Sequence, residues 1–253
     1  MRNIKLTLAY DGTEFNGWQT QPGHRTVQET LEKAIAALTG DARIRVNASG
    51  RTDAGVHAAG QVVNFYSNTS LAAEVLVRAI NAHLPTDMSV FTAEDKPEAF
   101  DANRDACRKL YRYVIHDGPV PSPFLRRYCC QSRHVLDVAA MRRAAEPLKG
   151  RHDFHSFETD WPNRMSSVRT ITHLALNRFG DWIWLDVEAD GFLYNMVRAI
   201  AGTLMNVGRG FWPEARVAAI LQAEDRVQAG PTAPAQGLFL MRVCYDARDC
   251  TAE

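Results

Sequence analysis

Ile4, Leu6 and Leu8 alternate with Lys5, Thr7 and Ala9, the period of two that a half-buried strand requires, and Tyr10-Asp11-Gly12 closes it. Val27, Leu31, Ala34, Ile35 and Leu38 then recur at helical spacing and mark one face of a helix ending near Gly40. Thr26-Val-Gln-Glu29 before it reads as a capping box, hydroxyl and carboxylate taking the free amides of the first turn. Ala42, Ile44, Val46 and Ala48 alternate with Arg43, Arg45, Asn47 and Ser49, which predicts a second strand. Val62 to Tyr66, rich in β-branched and aromatic residues, predicts a third. Leu71 to His83 follows as a helix with Pro85 as its stop, then Met88 to Ala93 as a strand. After Ala99 to Ala106, Leu110 to His116 sets Tyr111, Tyr113 and Ile115 against Arg112 and Val114. A β-α-β-β-α-β order with helices on one face of an antiparallel sheet suggests a ferredoxin-like half.

The rest of the chain repeats this logic loosely. Asp137 caps a helix running through Leu148, and Arg169 to Asn177 and Trp182 to Glu188 form a hairpin around Gly180-Asp181. A long helix spans Phe192 to Val207, a shorter one Pro213 to Gln222, and Leu238 to Cys244 is the last strand. The expected architecture is α+β: two ferredoxin-like (RRM-like) halves, residues 1–104 and 105–253, with antiparallel sheets side by side and a cleft between them for the active site.

Chemistry concentrates in Asn47 to Phe65, NASGRTDAGVHAAGQVVNF. Gly50, Gly55 and Gly60, beside Ala54, Ala58 and Ala59, make a bare loop that lets a large molecule approach closely. Into it the chain puts Arg51, Thr52, Asp53 and His57. A carboxylate beside a guanidinium on a loop held by two strands suits catalysis, while Asp in T-D-A-G equally suits an Asx-turn. His57 lies four residues after Asp53, a two-ligand spacing with no third member, and reads better as a packed loop histidine. In the preceding loop, Phe15 and Trp18 among amides either stack on bases or anchor the loop to the core.

Charge sharpens this picture. The 253 residues carry no net charge, which argues against nucleic acid, yet residues 101–170 hold 13 basic against 8 acidic side chains. That tract offers contacts for phosphates or simply a solvated face. Five cysteines without C-x-x-C spacing (Cys107, Cys129, Cys130, Cys244, Cys250) read as reduced thiols of a cytoplasmic protein. No run of about 18 apolar residues marks a membrane span, and the opening MRNIKLTLAYDG enters a strand with no signal-peptide pattern. The helix Phe192 to Val207 is apolar nearly all round except for Asn195, Arg198 and Asn206; a buried Arg198 therefore requires a partner, which any nearby acid would supply.

GRTDAGVHAAGQVVNF closely resembles the active-site segment of the TruA-type tRNA pseudouridine synthases. Further matching segments follow in order: Tyr10 to Gln19, Asn81 to Pro85, Gly150 to Phe154, Ser167 to Thr170, FLYNMVRAIAGTLMNVGRG and Gly230 to Pro234. The resemblance implies isomerisation of uridine to pseudouridine in the anticodon arm, nucleotides 38–40, without cofactor or metal. It implies Asp53 as the catalytic nucleophile, Arg198 as its ion-pair partner, and Tyr111 of the YRY strand against the target uracil. Arg51 is expected to fill the space left by the flipped nucleotide. The implied partners are tRNA and a second copy of the chain in a homodimer. FDANRDACRKLYRY departs from the family's R-x-Y-R-Y pattern at Asn103, Arg104 and Leu110, which weakens the phosphate contacts implied for that segment. Two rivals belong to other classes: a non-catalytic RNA-binding or chaperone module, and a metal-dependent hydrolase using Asp53, His57 and His152 or His155.

Overall fold

The computed structural model describes residues 1–40, 44–159 and 166–246. Along the chain run β1 (Arg2–Tyr10), α1 (Val27–Thr39), β2 (Asn47–Ala48), β3 (His57–Ser67), α2 (Ala73–Asn81), β4 (Met88–Lys96), β5 (Arg108–His116), β6 (Cys130–Gln131), α3 (Val138–Ala145), β7 (Gly150–Asp153), β8 (Val168–Phe179), β9 (Trp182–Ala189), α4 (Met196–Gly208), α5 (Ala215–Ala223) and β10 (Leu238–Cys244). The class is mixed α and β. The chain forms two compact units, Met1–Cys107 with Phe239–Glu253, and Arg108–Leu238. The last strand, read from sequence as part of the C-terminal half, thus returns to the first unit.

In the first unit β1 pairs antiparallel with both β3 and β4. β2 pairs antiparallel with β3, and β10 joins β3 in parallel through Phe239–His57 and Leu240–Ala58. The alternation in β1 buries Ile4, Leu6, Leu8 and Tyr10 together, and Leu31, Ile35, Leu76 and Ile80 from the helices complete this core. Ile44 and Val46 are buried as their alternation requires, but only Asn47–Ala48 pairs as strand; Ala42 and Arg43 lie outside the described residues.

The start of α1 corrects the capping box. Thr26 is the N-cap, but its hydroxyl makes no capping bond, and Glu29 pairs with Lys33 at 2.6 Å. The first-turn amides of Val27 and Gln28 donate instead to the carbonyls of Gly17 and Trp18, so the preceding loop does the capping. Phe15 and Trp18 are each 3% exposed, which makes them anchors of that loop and removes them as stacking platforms for bases.

In the second unit β5, β9, β8 and β7 pair antiparallel in that order, with β6 parallel to β5. Asp137 caps α3 as its position suggests, accepting from the Ala140 amide at 2.9 Å. α4 begins four residues later than its apolar run implies. Asn195 sits at φ 62°, a left-handed conformation that no helix continues through, and Phe192 to Tyr194 precede it as loop. No disulfide joins the described cysteines, and Cys250 lies outside them.

Candidate functional site

Between β2 and β3 the chain is tied down on both flanks of Asp53. Ser49 Oγ donates to Gln61 Oε1 at 2.7 Å, and Gln61 Nε2 donates to the Gly50 carbonyl at 2.9 Å. Thr52 is buried, its hydroxyl 2.8 Å from Tyr10 Oη and its carbonyl accepting from the Trp18 amide at 2.9 Å. Burial pushes the Tyr10 phenol up to about 12 against the opposing hydrogen bonds of Thr52 and Gln61, so it stays protonated and able to donate. Beyond Asp53, its carbonyl accepts from Val56 N–H at 3.1 Å. The Gly55 amide donates to the Phe15 carbonyl at 3.3 Å, a further tie to the loop before α1.

The β1 turn presses directly against this loop. A Cβ on Gly12 would lie 2.0 Å from the Val56 carbonyl oxygen, a distance no side chain tolerates. His57, 2% exposed, accepts the Gly12 amide at Nδ1 (3.0 Å), with Asp11 Oδ1 3.1 Å from the same nitrogen, and stacks on Phe239 at 4.7 Å. It is a structural pillar of the loop. Outward from these tethers the backbone presents Arg51, exposed, and Asp53, half-exposed, on either side of buried Thr52.

In the second unit, Tyr111 and Tyr113 stand on one face of β5. Tyr111 is 8% exposed and meets Phe192 edge-on, ring centroids 5.0 Å apart. Tyr113 donates to the Pro234 carbonyl at 2.8 Å, and the positive charge of Arg198 acts on its hydroxyl. Arg198, half-buried in the first turn of α4, donates from Nε to Ala233 O and from Nη1 to Asn195 Oδ1, both at 2.7 Å. Asn195 Nδ2 donates in turn to Thr159 Oγ1 at 3.0 Å.

The sequence reading missed these supports. Residues Gly230 to Ala233 lie along α4, where a Cβ on Gly202 would come 1.9 Å from the Pro231 carbonyl oxygen. The Gly230 amide donates to Thr203 Oγ1 at 2.9 Å, and the Ala233 amide to Arg198 O at 3.1 Å. A glycine inside an otherwise apolar helix was the available signal.

Much of the basic tract is engaged within its own unit. Arg112 pairs with Asp186 at 2.7 Å, Arg143 with Glu214 at 2.6 Å and Arg108 with Glu188 at 3.4 Å. Arg142 donates to the Leu176 carbonyl, and Arg104 binds Asp105. Part of the charge excess read from sequence is therefore a set of sheet-face and surface ion pairs. Among the described residues no three His, Cys, Asp or Glu side chains group as metal ligands. His152 Nε2 lies 2.7 Å from the Lys149 carbonyl, and His155 is exposed in a short turn. No helix among the described residues is long and apolar enough to cross a membrane.

A family model described as tRNA pseudouridine synthase matches residues 7–103 and 144–246. The chain is 44% identical over 245 residues to tRNA pseudouridine synthase A of Thermoanaerobacter sp. (strain X514), covering 97% of this chain and all of that protein. It is 46% identical over 244 residues to the protein of the same name from Bacillus subtilis (strain 168), covering 96% and 99%. A solved Cbf5-Nop10-Gar1 complex is matched far more distantly, at 10% identity and TM-score 0.35 over 79% of this chain and 54% of that one.

Proposed function

The chain belongs to the tRNA pseudouridine synthase family, an isomerase that converts uridine in tRNA to pseudouridine, and on that premise we propose that Asp53 is its nucleophile. The family match on both sides of the chain carries this reading, and the rigid loop that presents Asp53 supports it.

The reaction breaks N1–C1′, turns the uracil while it is held, and bonds C5 to C1′, the proton on C5 leaving and N1 taking one up. Nothing is oxidised or transferred to another molecule. A carboxylate meets the electron-poor C1′ by direct attack or by assisting elimination to a glycal, and in either role it must be ionised. In this reading Arg198 keeps it so, Tyr111 lies against the uracil, and Arg51 takes the place vacated by the flipped nucleotide.

We further propose nucleotides 38–40 of the anticodon arm as targets, a homodimer as the active form, a cytoplasmic location, and turnover without cofactor. Carbodiimide mapping of pseudouridine in tRNA transcripts tests the position: stops confined to 38–40 support it, and stops elsewhere refute it. Light scattering at working concentration tests the dimer, which a monomer mass refutes.

A further inference from the structure

The segment Gly230-Pro-Thr-Ala-Pro234 contains two prolines, which have no amide proton to give to a sheet or helix. It belongs to no strand or helix. Its carbonyls accept from side chains instead. Gly230 O takes Arg226 Nη1 at 2.9 Å, Ala233 O takes Arg198 Nε at 2.7 Å, and Pro234 O takes the Tyr113 hydroxyl at 2.8 Å. A stretch without ladder bonds stands where such donors hold it.

Arg226 grips this segment twice, since its Nη2 also donates to Thr232 Oγ1 at 2.9 Å. Two donors on one planar guanidinium fix direction as well as distance. The arginine is half-buried and lies in the short turn 226–228 after α5, and that turn is itself fastened. The Asp225 amide donates to Ser156 Oγ at 2.8 Å, and the buried Ser156 hydroxyl donates to the Ile220 carbonyl of α5 at 2.6 Å. Arg216 of α5 donates from Nη2 to Gln228 Oε1 at 2.7 Å. A line of contacts therefore runs from α5 through the turn and Arg226 to residues 230–233, and ends on Arg198. The guanidinium of Arg198 spends Nε on Ala233 O and Nη1 on Asn195 Oδ1. Bonds to two fixed acceptors leave a planar fork one orientation. Asn195 is held by Thr159, and the Ala233 carbonyl stands where the clamped segment puts it.

We infer that Arg226 is a positioning residue for the isomerisation: by clamping Gly230 and Thr232 it sets the Ala233 carbonyl that aims the Arg198 guanidinium. This rests on the reading that Arg198 acts on Asp53. Arg226 touches neither substrate nor nucleophile in this account and works only through Arg198.

The test is single-turnover tritium release from C5-labelled tRNA across a range of pH, for the full chain as wild type, Arg226→Met, Arg226→Lys, Thr232→Val and Arg198→Met. Enzyme in excess makes the rate report the chemical step rather than product release. Arg226→Met should lower that rate between about tenfold and a hundredfold, as misplacing a group at the reacting centre does, with tRNA affinity retained. Thr232→Val keeps the shape and removes one clamp acceptor, so it should show a smaller loss of the same kind. It decides the matter alone if Arg226→Met does not fold. Arg226→Lys, with one ammonium for two acceptors, should recover part of the rate. On the reading above, a misaimed Arg198 depresses the Asp53 carboxyl less, so the acid limb of the rate should move to higher pH in Arg226→Met and Thr232→Val. A wild-type rate in both variants, or an acid limb that stays in place, overturns the inference and leaves Arg226 a brace for its own turn. Arg198→Met at the wild-type rate would instead overturn the role of Arg198. A slow Arg198→Met beside unimpaired Arg226→Met and Thr232→Val keeps that role and removes the clamp.

Discussion

Tyr10 and Thr52 meet by their oxygens at 2.8 Å inside the first unit, forty-two positions apart in the chain. The contact joins the end of the first strand to the residue just before Asp53. A loop built from alanine and glycine has little side-chain packing to hold it, so buried polar tethers set where its carboxylate points. Thr52→Val keeps the shape and removes the hydroxyl, and Tyr10→Phe removes the partner. Each should cost about 1 kcal/mol of stability. Each should also lower kcat on tRNA with little change in KM, and the double variant should lose no more than either single one. Thr52→Ser should restore kcat. Additive losses, or losses in KM alone, would mean the pair only stabilises the fold.

Gly12 touches the opposite flank of the same loop. A methyl group there would collide with the Val56 carbonyl, which cannot retreat without moving the start of β3. Gly12→Ala is expected to destabilise by about 1–3 kcal/mol in urea unfolding. It should also reduce activity more than Gly23→Ala, where a Cβ meets nothing and only the left-handed backbone, at φ 76°, resists a side chain.

Asn195 does two things for Arg198: it adopts the left-handed turn before α4, and it accepts from the guanidinium at 2.7 Å. Asn195→Ala removes the acceptor and strains the turn by about 1–2 kcal/mol. Asn195→Gly removes the acceptor while relieving the strain. If Asn195 positions Arg198, both variants lose kcat on tRNA; if it only shapes the turn, the glycine variant recovers.

Asp117 is 1% exposed at its side chain and paired with Arg178 at 2.6 Å. Burial pushes its carboxyl up, but the Arg178 hydrogen bond and charge and the Leu136 amide outweigh that and leave it below the ordinary carboxylate range. A depressed folded value means stability present above the unfolded pKa of about 3.9 and lost as pH falls through the folded one. Arg178→Met strands a buried carboxylate and should cost about 3–5 kcal/mol near neutral pH. Urea unfolding should show that deficit shrinking as the pH is lowered through the acid range, first as the variant's stranded carboxyl takes up a proton and then, below about 4, as the wild-type pair loses its own stabilisation. A deficit independent of pH would remove Asp117 as its cause.

Elements set by periodicity were legible: the final strand lies at Leu238–Cys244 as its pattern indicates, and the hairpin turns at Gly180. Local signals failed where a distant segment took over the same groups. Thr26 and Glu29 spell a capping box, yet the loop carbonyls of Gly17 and Trp18 reached the amides first. The apolar run from Phe192 hides a helix boundary that one backbone angle at Asn195 decides. The motif around Asp53 pointed to the loop and contains one of its tethers, Gln61, but the other, Tyr10, comes from β1, and no spacing rule connects the two. The basic tract was visible as composition, whereas the pairing of Arg112, Arg143 and Arg108 with acids from beyond it was not.

The central claim is that Asp53 performs the isomerisation of uridine in tRNA. Tritium release from C5-labelled tRNA transcript, wild type beside Asp53→Asn with chelator present, tests it most directly. The account predicts release by the wild type alone, with tRNA binding retained by the variant. Comparable release from both proteins would contradict it, as would binding without release in either.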